Sequence, residues 1–432
     1  MNSNRITKVL TGIFGGVFTV CFVFLFVNII IIGFDGNVDR RFDSFSKMFI
    51  LLIFAVLTVG ICALYFHYTS DKGCKKIKAK SRFEFNDKNT KKVIFIGCGI
   101  LLIVEIIFAL LTDFEPVADL HNIKRYAMYF STHGNFNLIE QDYANDYQYL
   151  VRYPNNMALL LIVSLVGRLN YLIFGHYVDF APVVVNILAI NISIMLTAFT
   201  AKRLFGNKKA LFVLAFCALF LPYLTYLPYY YSDSMSMPFL IGAVYLIVSA
   251  LQVDNRKSLY AKLCAAGALI FLGYKVKGSL IILFAVGLLL LFLKFRLKKA
   301  ICLILVFSAG FGVIGFAYNG KYDEHDDYYT RSFPSKKEKQ DANIKVIKER
   351  IKDYKFSGLY EHMIEKAVWT WQDGTYYISY HNRKPKNDNI LMDFLHIDGK
   401  YNKAFQNYSS ALQLFILLMI CISAVKTLIK PK

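Results

Sequence analysis

Long apolar runs recur along the 432-residue chain, separated by short basic stretches and by two longer polar segments. A helix needs roughly 20 apolar residues to cross a bilayer. The pattern therefore predicts ten membrane-spanning helices, at 8–33, 48–68, 92–111, 179–201, 210–228, 236–252, 260–275, 277–294, 299–318 and 411–429. We expect the further apolar stretch 156–174 to lie at the outer surface or to re-enter, because a crossing there would move the later basic loops to the other side.

Short basic loops set the expected orientation of these spans. Residues 69–92 carry nine Lys or Arg against three acids, and 201–210 and 293–299 carry four each without an acid. Loops of this kind stay on the cytoplasmic side. Both termini are therefore predicted to be cytoplasmic, in a multi-pass protein of the cell membrane. The formal charge of +20 has the same origin and does not require nucleic acid as a partner.

The composition supports a membrane protein, since 56% of the residues are hydrophobic. The predicted fold class is all-α integral membrane, with about ten spans and two large extracytoplasmic loops. Apolar residues at helical spacing around 344–367 predict helices in the second loop. The predicted segments are 1–111 (N-terminal spans with a basic loop), 112–178 (first outer loop), 179–318 (six-span core), 319–410 (extracytoplasmic helical subdomain) and 411–432 (last span and tail).

The stretch TDFEPVADLHNIKRYA at 112–127 places three carboxylates, Asp113, Glu115 and Asp119, directly after a predicted span. Apolar residues return at helical spacing after Asp119, which indicates a short amphipathic helix. A helix N-terminus favours an ionised carboxylate, and such a group can act as a general base. We interpret Asp119 as a candidate catalytic base, supported by Asp113 or Glu115, which would orient the acceptor or hold a cation. The alternative is a solvated loop with helix-capping acids.

Two further polar features occur where predicted spans begin. Tyr153-Pro154-Asn155-Asn156 stops the chain before an apolar stretch, and asparagine at this place is a good helix cap. Asp233 follows a tyrosine-rich stretch at the outer mouth of another span. Tyrosines are common at the membrane interface, whereas a lone acid there is costly and usually functional.

A lysine pair and a tryptophan-containing turn complete the candidate chemistry. Lys275 and Lys277 interrupt an apolar run, so they either reach to lipid headgroups or bind a phosphate. The sequence WTWQDGTYY contains Trp371 and Asp373, and its Asp-Gly step indicates a turn. Aromatic residues there could stack on a sugar or rest on the membrane.

These residues resemble the GT-C superfamily of polyprenyl-phosphate-sugar glycosyltransferases, whose catalytic acid lies in the first large outer loop. The chain is also similar to a group of multi-spanning proteins from Gram-positive bacteria. The shared elements are Pro-x-x-Asp at 116–119, Tyr-Pro-Asn-Asn at 153–156, Tyr-Ser-Asp-Ser at 231–234, Gly-Tyr-x-x-Lys at 273–277 and Trp-x-Asp-Gly-Thr-Tyr at 371–376. The chain departs from the group at 317–334, which lacks a His-x-x-Met-Met-Gly-Leu stretch.

The resemblance implies a membrane glycosyltransferase that moves a sugar from a polyprenyl phosphate to a cell-surface glycopolymer or lipid-linked acceptor. Asp119 would be the base, Lys277 and then Lys275 would bind the donor phosphate, and Asp233 and Asp373 would shape the sugar site. The other expected substrate-binding residues are Tyr153, Asn155, Asn156 and Trp371. The expected partners are the donor, a glycan acceptor and the bilayer. The sequence establishes no cofactor, and a divalent cation stays open. The alternatives are a polysaccharide polymerase, which relies on arginines, and a transporter or flippase of lipid-linked glycans, which gathers ionisable residues at mid-span.

Overall fold

A computed structural model describes residues 3–32, 51–61, 86–145, 149–319, 335–371, 376, 378–382 and 384–429. These residues form α-helices joined by short turns, and the β-contact among them is an isolated bridge between Phe114 and Pro385. The all-α class predicted from the sequence is confirmed.

The helices are α1 (Ser3–Ile32), α2 (Leu51–Ile61), α3 (Asp87–Leu111), α4 (Ala118–His133), α5 (Asn137–Ala144), α6 (Tyr149–Arg152), α7 (Met157–Phe174), α8 (Phe180–Phe205), α9 (Asn207–Leu219), α10 (Leu221–Thr225), α11 (Ser232–Ala250), α12 (Arg256–Val276), α13 (Ile281–Lys294), α14 (Leu297–Asn319), α15 (Lys336–Trp371), α16 (Ile378–His381), α17 (Ile390–Leu395) and α18 (Asn402–Ile429). Short 3-10 turns at Pro154–Asn156 and Gly278–Leu280 precede α7 and α13.

Eight of the described helices are long and apolar enough to cross a membrane, namely α1, α3, α7, α8, α11, α12, α14 and α18. Seven of them coincide with predicted spans, and the chain is a multi-pass membrane protein. The exception is α7, the stretch expected at the surface or re-entering, which has the length and hydropathy of a crossing helix.

Two predicted spans form shorter helices than the apolar pattern suggested. The stretch 210–228 is divided at Phe220 between α9 and α10, because Pro222 starts a new helix and cannot continue the old one. The stretch 277–294 begins with a 3-10 turn, which leaves α13 only 14 residues. Of the predicted span 48–68, only 51–61 lies within the described residues.

The chain divides into two compact units, one formed by 1–81, 330–380 and 393–432 and the other by 82–329 and 381–392. In the first unit, α1 packs against α18 and α15. The thiol of Cys421 donates to the carbonyl oxygen of Phe22 at 3.4 Å, and the Trp371 ring meets the Phe22 ring edge-on at 5.9 Å between centroids. The predicted helices around 344–367 are confirmed as α15.

The second unit has an apolar core in which α11, α12, α13 and α14 meet around Leu263, Ile270 and Phe307. Glycines let α12 and α14 approach closely. A Cβ added at Gly310 would lie 1.9 Å from the carbonyl oxygen of Cys264. The Gly-x-Gly-x-x-Gly pattern at 310–315 therefore serves helix packing in a membrane protein rather than nucleotide binding.

Two asparagines of α8 connect this helix to its surroundings. Asn191 donates to Glu105 Oε2 of α3 at 2.9 Å, which satisfies an acid that is 1% exposed. Asn186 donates to the carbonyl oxygens of Tyr226 and Leu227 at 2.8 and 2.9 Å. The two hydrogen bonds of Asn186 hold the start of the tyrosine-rich loop 226–231, which leads into the candidate site.

Candidate functional site

Asp119 lies in the first turn of α4, directly after an unusual backbone conformation. Val117 is extended, and Ala118 has a φ of 52°. A positive φ is costly for a residue with a Cβ and is found most often where the surroundings hold a functional group in place. The left-handed conformation of Ala118 therefore comes directly before the half-buried Asp119 carboxylate, which lies at the N-terminus of α4, the positive end of the helix dipole.

The Asp119 carboxylate joins two other sequence elements through hydrogen bonds. The Tyr231 hydroxyl donates to Asp119 Oδ2 at 2.8 Å. The amide of Asn156, which is fully buried, donates to the hydroxyls of Tyr149 and Tyr231 at 2.8 and 3.2 Å. Three motifs far apart in the sequence, at 116–119, 153–156 and 231–234, therefore meet at one polar network.

The two tyrosines in this network remain protonated donors. Burial raises the pKa of Tyr231 far above its usual value of 10.0, and the hydrogen bond to Asp119 raises the pKa further. Burial and then the Asp119 charge also raise the pKa of Tyr149. Tyr231 can thus hold the Asp119 carboxylate in one orientation at neutral pH, because its hydroxyl keeps its proton.

Asp233 and Lys277 form an ion pair between the start of α11 and the end of α12. The Asp233 side chain is 52% exposed and the Lys277 side chain 33%, so the pair faces solvent. Lys277 is followed by Gly278 and a 3-10 turn, which keeps its backbone extended and outside the helix. The Lys275 ammonium lies 5.6 and 5.7 Å from the ring centres of Phe271 and Tyr274.

The ion pair and the Asp119 network lie near the same tyrosines. The charges of both Asp119 and Asp233 contribute, after burial, to the raised pKa of Tyr229, and likewise to that of Tyr231. Asp119 Oδ2 accepts from the Tyr231 hydroxyl, and Asp233 follows Tyr231 by two residues in the first turn of α11, so both carboxylates lie near this ring. We call the rings of Tyr229 and Tyr231 the aromatic patch.

Asp113 and Glu115 lie in a separate cluster of three acids and two lysines. Lys386 lies 3.1 Å from Asp113 Oδ2, 3.7 Å from Glu115 Oε2 and 3.6 Å from Asp179 Oδ2. The buried Lys124 lies 2.9 Å from Asp179 and 3.4 Å from Glu115. The carboxylates of Asp113 and Glu115 are thus paired with lysines, of which Lys124 is buried and Lys386 is exposed.

The same cluster fastens the segment 384–389 to the end of α3. Backbone bonds run from Glu115 N to Lys384 O at 2.8 Å and from Lys386 N to Asp113 O at 3.1 Å. The side-chain amides of Asn387 and Asn389 donate to the carbonyl oxygens at the α3 C-terminus, at 2.9 and 2.7 Å. These bonds satisfy helix-end carbonyls that have no partner inside α3.

Replacing Lys386 by Gln should destabilise the second unit by roughly 1 kcal/mol, because three carboxylates lose a shared cation. Burial alone would lower the pKa of Lys386, but its acidic partners raise that pKa above 10.5. The stability difference from wild type should therefore be constant from neutral pH to pH 10.5 and shrink as the pH rises further. The measurement is the thermal midpoint in detergent against pH. Lys384→Gln, which removes a neighbouring exposed lysine, is the control. An equal loss of stability in both variants would show that the ion pairs of Lys386 do not stabilise the protein.

His381 and Asn382 extend the aromatic patch. The His381 ring stacks on Tyr229 with centroids 4.0 Å apart, and Tyr229 lies 5.6 Å from Tyr231. The neighbouring Asn382 is fully buried, yet neither its amide nitrogen nor its amide oxygen has a hydrogen-bond partner within the described part of the chain. A buried amide without partners lowers the stability of the folded protein, because both of its polar atoms lose their hydrogen bonds to water.

Asn382→Leu is expected to raise the stability of the protein by about 1–3 kcal/mol, because a leucine of similar size removes that desolvation cost. Asn156→Leu is the matched control, since Asn156 is equally buried but hydrogen-bonded, and it should lower stability. Thermal midpoints of the two purified variants decide the comparison. A fall in both variants would show that Asn382 has a partner in the folded protein, such as a buried water.

The remaining predicted site residues are placed as follows. Tyr153 is 45% exposed, and its ring packs 5.2 Å from that of Tyr149. Asn155 donates to Asn156 Oδ1 at 3.2 Å and so supports the network from outside. Trp371 belongs to the other unit, where its carbonyl oxygen accepts from the Gln413 amide at 3.0 Å. Asp373 lies outside the described residues.

Within the ranges that the structure describes, no group of three or more His, Cys, Asp or Glu side chains could hold a metal ion. The YDEHDDYY cluster at 322–329 lies outside those ranges. The acids Asp113 and Glu115, expected from the sequence to support the base or to hold a cation, have lysine partners in this structure.

Sequence reasoning missed several members of these clusters. Lys386, His381 and Asn382 come from one short stretch, HNRKPKN, which no apolar pattern singles out. Lys124 and Asp179 look like ordinary loop and helix charges until the fold pairs them. The signal for Tyr231 is its place in the Tyr-Ser-Asp-Ser element, in which Asp233 is the more conspicuous polar residue.

Comparison with known proteins supports the resemblance over part of the chain. No curated protein and no solved structure matches the sequence. A family model does match, and the matched segment begins within α7, contains Tyr231, Asp233 and Lys277, and ends in α14. Residues 161–317, less than half of the chain, match the family described as dolichyl-phosphate-mannose-protein mannosyltransferase, which confirms over that segment the likeness to GT-C-type glycosyltransferases read from the sequence.

Proposed function

We propose that the protein transfers a sugar from a polyprenyl-phosphate carrier to a glycan acceptor, either a cell-surface glycopolymer or a lipid-linked glycan. The observation that carries this proposal is the convergence of three motifs on Asp119, through Tyr231 and Asn156. The family match supports the donor class, because it points to glycosyltransferases that use a sugar on a lipid phosphate.

Asp119 is the proposed base. Its carboxylate would accept the proton of the acceptor hydroxyl while the acceptor oxygen forms a bond to the anomeric carbon. The bond from that carbon to the phosphate oxygen breaks, and its electron pair leaves with the phosphate. Tyr231 would hold the carboxylate by its hydrogen bond, and Asn156 would keep Tyr231 in place.

Lys277 is the proposed binding group for the donor phosphate. A cation fixed at this point would stabilise the negative charge that develops on the leaving phosphate. Asp233 would position the ammonium when the donor is absent and contact the sugar when it is present. Lys275, beside two aromatic rings, would add a second positive charge nearby.

Asp113 and Glu115 would act indirectly. Their ion pairs with Lys386 and Lys124 hold the segment 384–389, and with it the His381 ring that stacks on Tyr229. We assign Tyr153 and Asn155 to the edge of the acceptor site. Trp371 and Asp373 remain candidate sugar-binding residues.

The contacts of the ionisable residues within apolar runs argue against a transporter. Glu105 is satisfied by Asn191, and Arg168 donates to the carbonyl oxygen of Ser131 at 2.8 Å. Both serve helix packing. A polymerase would rely on arginines such as Arg152, Arg331 or Arg383, of which only the backbone of Arg152 is described. The Asp119 network favours transfer to a hydroxyl over either alternative.

The orientation of the chain belongs to the same proposal. Nucleotide sugars are confined to the cytoplasm, whereas a sugar on a polyprenyl phosphate is available at the outer face from within the bilayer. We place the Asp119 network on the outer face of the cell membrane and both termini in the cytoplasm, with α7 at the outer surface or re-entering, as the basic loops require.

The test is the sugar composition of cell-envelope glycans from three strains: intact, deleted for the protein, and deleted but complemented with Asp119→Asn at equal membrane abundance. Deletion should remove one sugar, which the variant should fail to restore. An unchanged composition after deletion would reject the transferase. Full restoration by Asp119→Asn would keep a transferase but exclude Asp119 as its base.

A further inference from the structure

The N-terminal half of α15, residues 336–354, presents a row of large apolar side chains to the outside. Ile344, Ile347, Ile351 and Tyr354 are 40%, 55%, 51% and 44% exposed. At about 100° per residue, these four positions fall within roughly 80° of the helix circumference. They therefore form one continuous stripe, which we call the isoleucine face.

The charges of this half-helix are ordered around that stripe. Lys348 and Lys352 border it on one side and Arg350 on the other, at about 40–80° from the nearest apolar residue. Glu349 and Asp353 lie on the opposite side of the helix from the isoleucine face, whereas Asp341 lies beside it, about 60° from Ile344. An excess of basic residues beside an apolar stripe is typical of helices that lie in the interface of an anionic membrane.

The other half of α15 is anchored to a membrane span. The helix changes direction at Lys355, whose φ is 52°. Beyond this point α15 packs against α1, with the Tyr360 ring 6.0 Å from that of Phe24 and the Trp371 ring 5.9 Å from that of Phe22. Because α1 is itself a candidate span, the isoleucine face is kept within reach of the bilayer.

We propose that residues 336–354 form a lipid-docking helix, which buries the isoleucine face among acyl chains and sets its lysines against anionic headgroups. Lysine side chains are suited to this because their stems lie along apolar surface while the ammonium reaches the phosphate layer. Charge complementarity favours a lipid surface over an apolar protein groove, since the bordering cations would be desolvated in such a groove.

The experiment uses the full chain reconstituted in nanodiscs, with a small environment-sensitive fluorescent amino acid replacing Ile347. The matched control carries the same reporter in place of Glu349, two positions away on the opposite face. Each is measured in phosphatidylcholine and in phosphatidylcholine with phosphatidylglycerol, with and without a nitroxide quencher on the lipid chain. Both positions are exposed, so the reporters should leave the fold intact.

We expect the reporter at 347 to be quenched at least twofold more strongly than the one at 349, and more strongly with phosphatidylglycerol than without it. Lys348→Glu combined with Lys352→Glu should reduce that difference. A water-like, unquenched signal at 347 would overturn the proposal. A blue-shifted signal that the lipid-bound nitroxide does not quench would assign the isoleucine face to a protein partner instead. Slower amide exchange of 340–354 in anionic nanodiscs, measured on the unaltered chain, gives a second test.

Discussion

Asp119→Asn should lower the rate of sugar transfer by about 10²–10⁴-fold, the range typical of losing a general base. The amide keeps the shape of the carboxylate and can still accept the hydrogen bond from Tyr231, but it cannot take up a proton. Folding should therefore be preserved. The measurement is initial rate with a defined polyprenyl-phosphate sugar in proteoliposomes, together with the thermal midpoint of the purified variant.

The matched control is Asp113→Asn, a second carboxylate of the same loop that contacts Lys386 rather than Tyr231. It should lose stability but retain most of the rate per folded molecule. Tyr231→Phe should give an intermediate loss, because it frees the Asp119 carboxylate without removing it. If Asp113→Asn abolished transfer and Asp119→Asn did not, the base would be Asp113 and the Asp119 network would be structural.

Much of the site could be predicted from the sequence because its members stand out against an apolar background. Asp119, Asn156 and Asp233 are polar residues near the ends of long hydrophobic runs. A charge or amide at such a place costs free energy, so its presence indicates a functional role. The sequence could not show that Tyr231 joins Asp119 to Asn156, since those three residues come from elements separated by up to 112 positions.

The helix ends were harder to predict than the helices. Hydropathy sums over a window, so it did not register the break at Phe220 or the 3-10 turn before α13. The roles of Asp113 and Glu115 depend on Lys386, more than 270 residues further along the chain. Ion pairs over such separations are set by the fold, and no local pattern in a single sequence encodes them.

Lys277→Gln is expected to raise the KM for the polyprenyl-phosphate donor by about 10–100-fold, which corresponds to the loss of one charge-assisted hydrogen bond. The acceptor KM should change little. Lys275→Gln should have a smaller effect, because Lys275 lies over the Phe271 and Tyr274 rings rather than in the ion pair.

The decisive comparison is with the double variant Lys277→Gln/Asp233→Asn. If the ion pair were only structural, removing both charges would restore what the single lysine variant loses, because no unpaired carboxylate would remain. If Lys277 binds the donor phosphate, the double variant should recover thermal stability while its donor KM stays above that of Asp233→Asn alone. Recovery of both quantities would leave the phosphate without its proposed ligand, and the binding site would then have to be sought around Lys275.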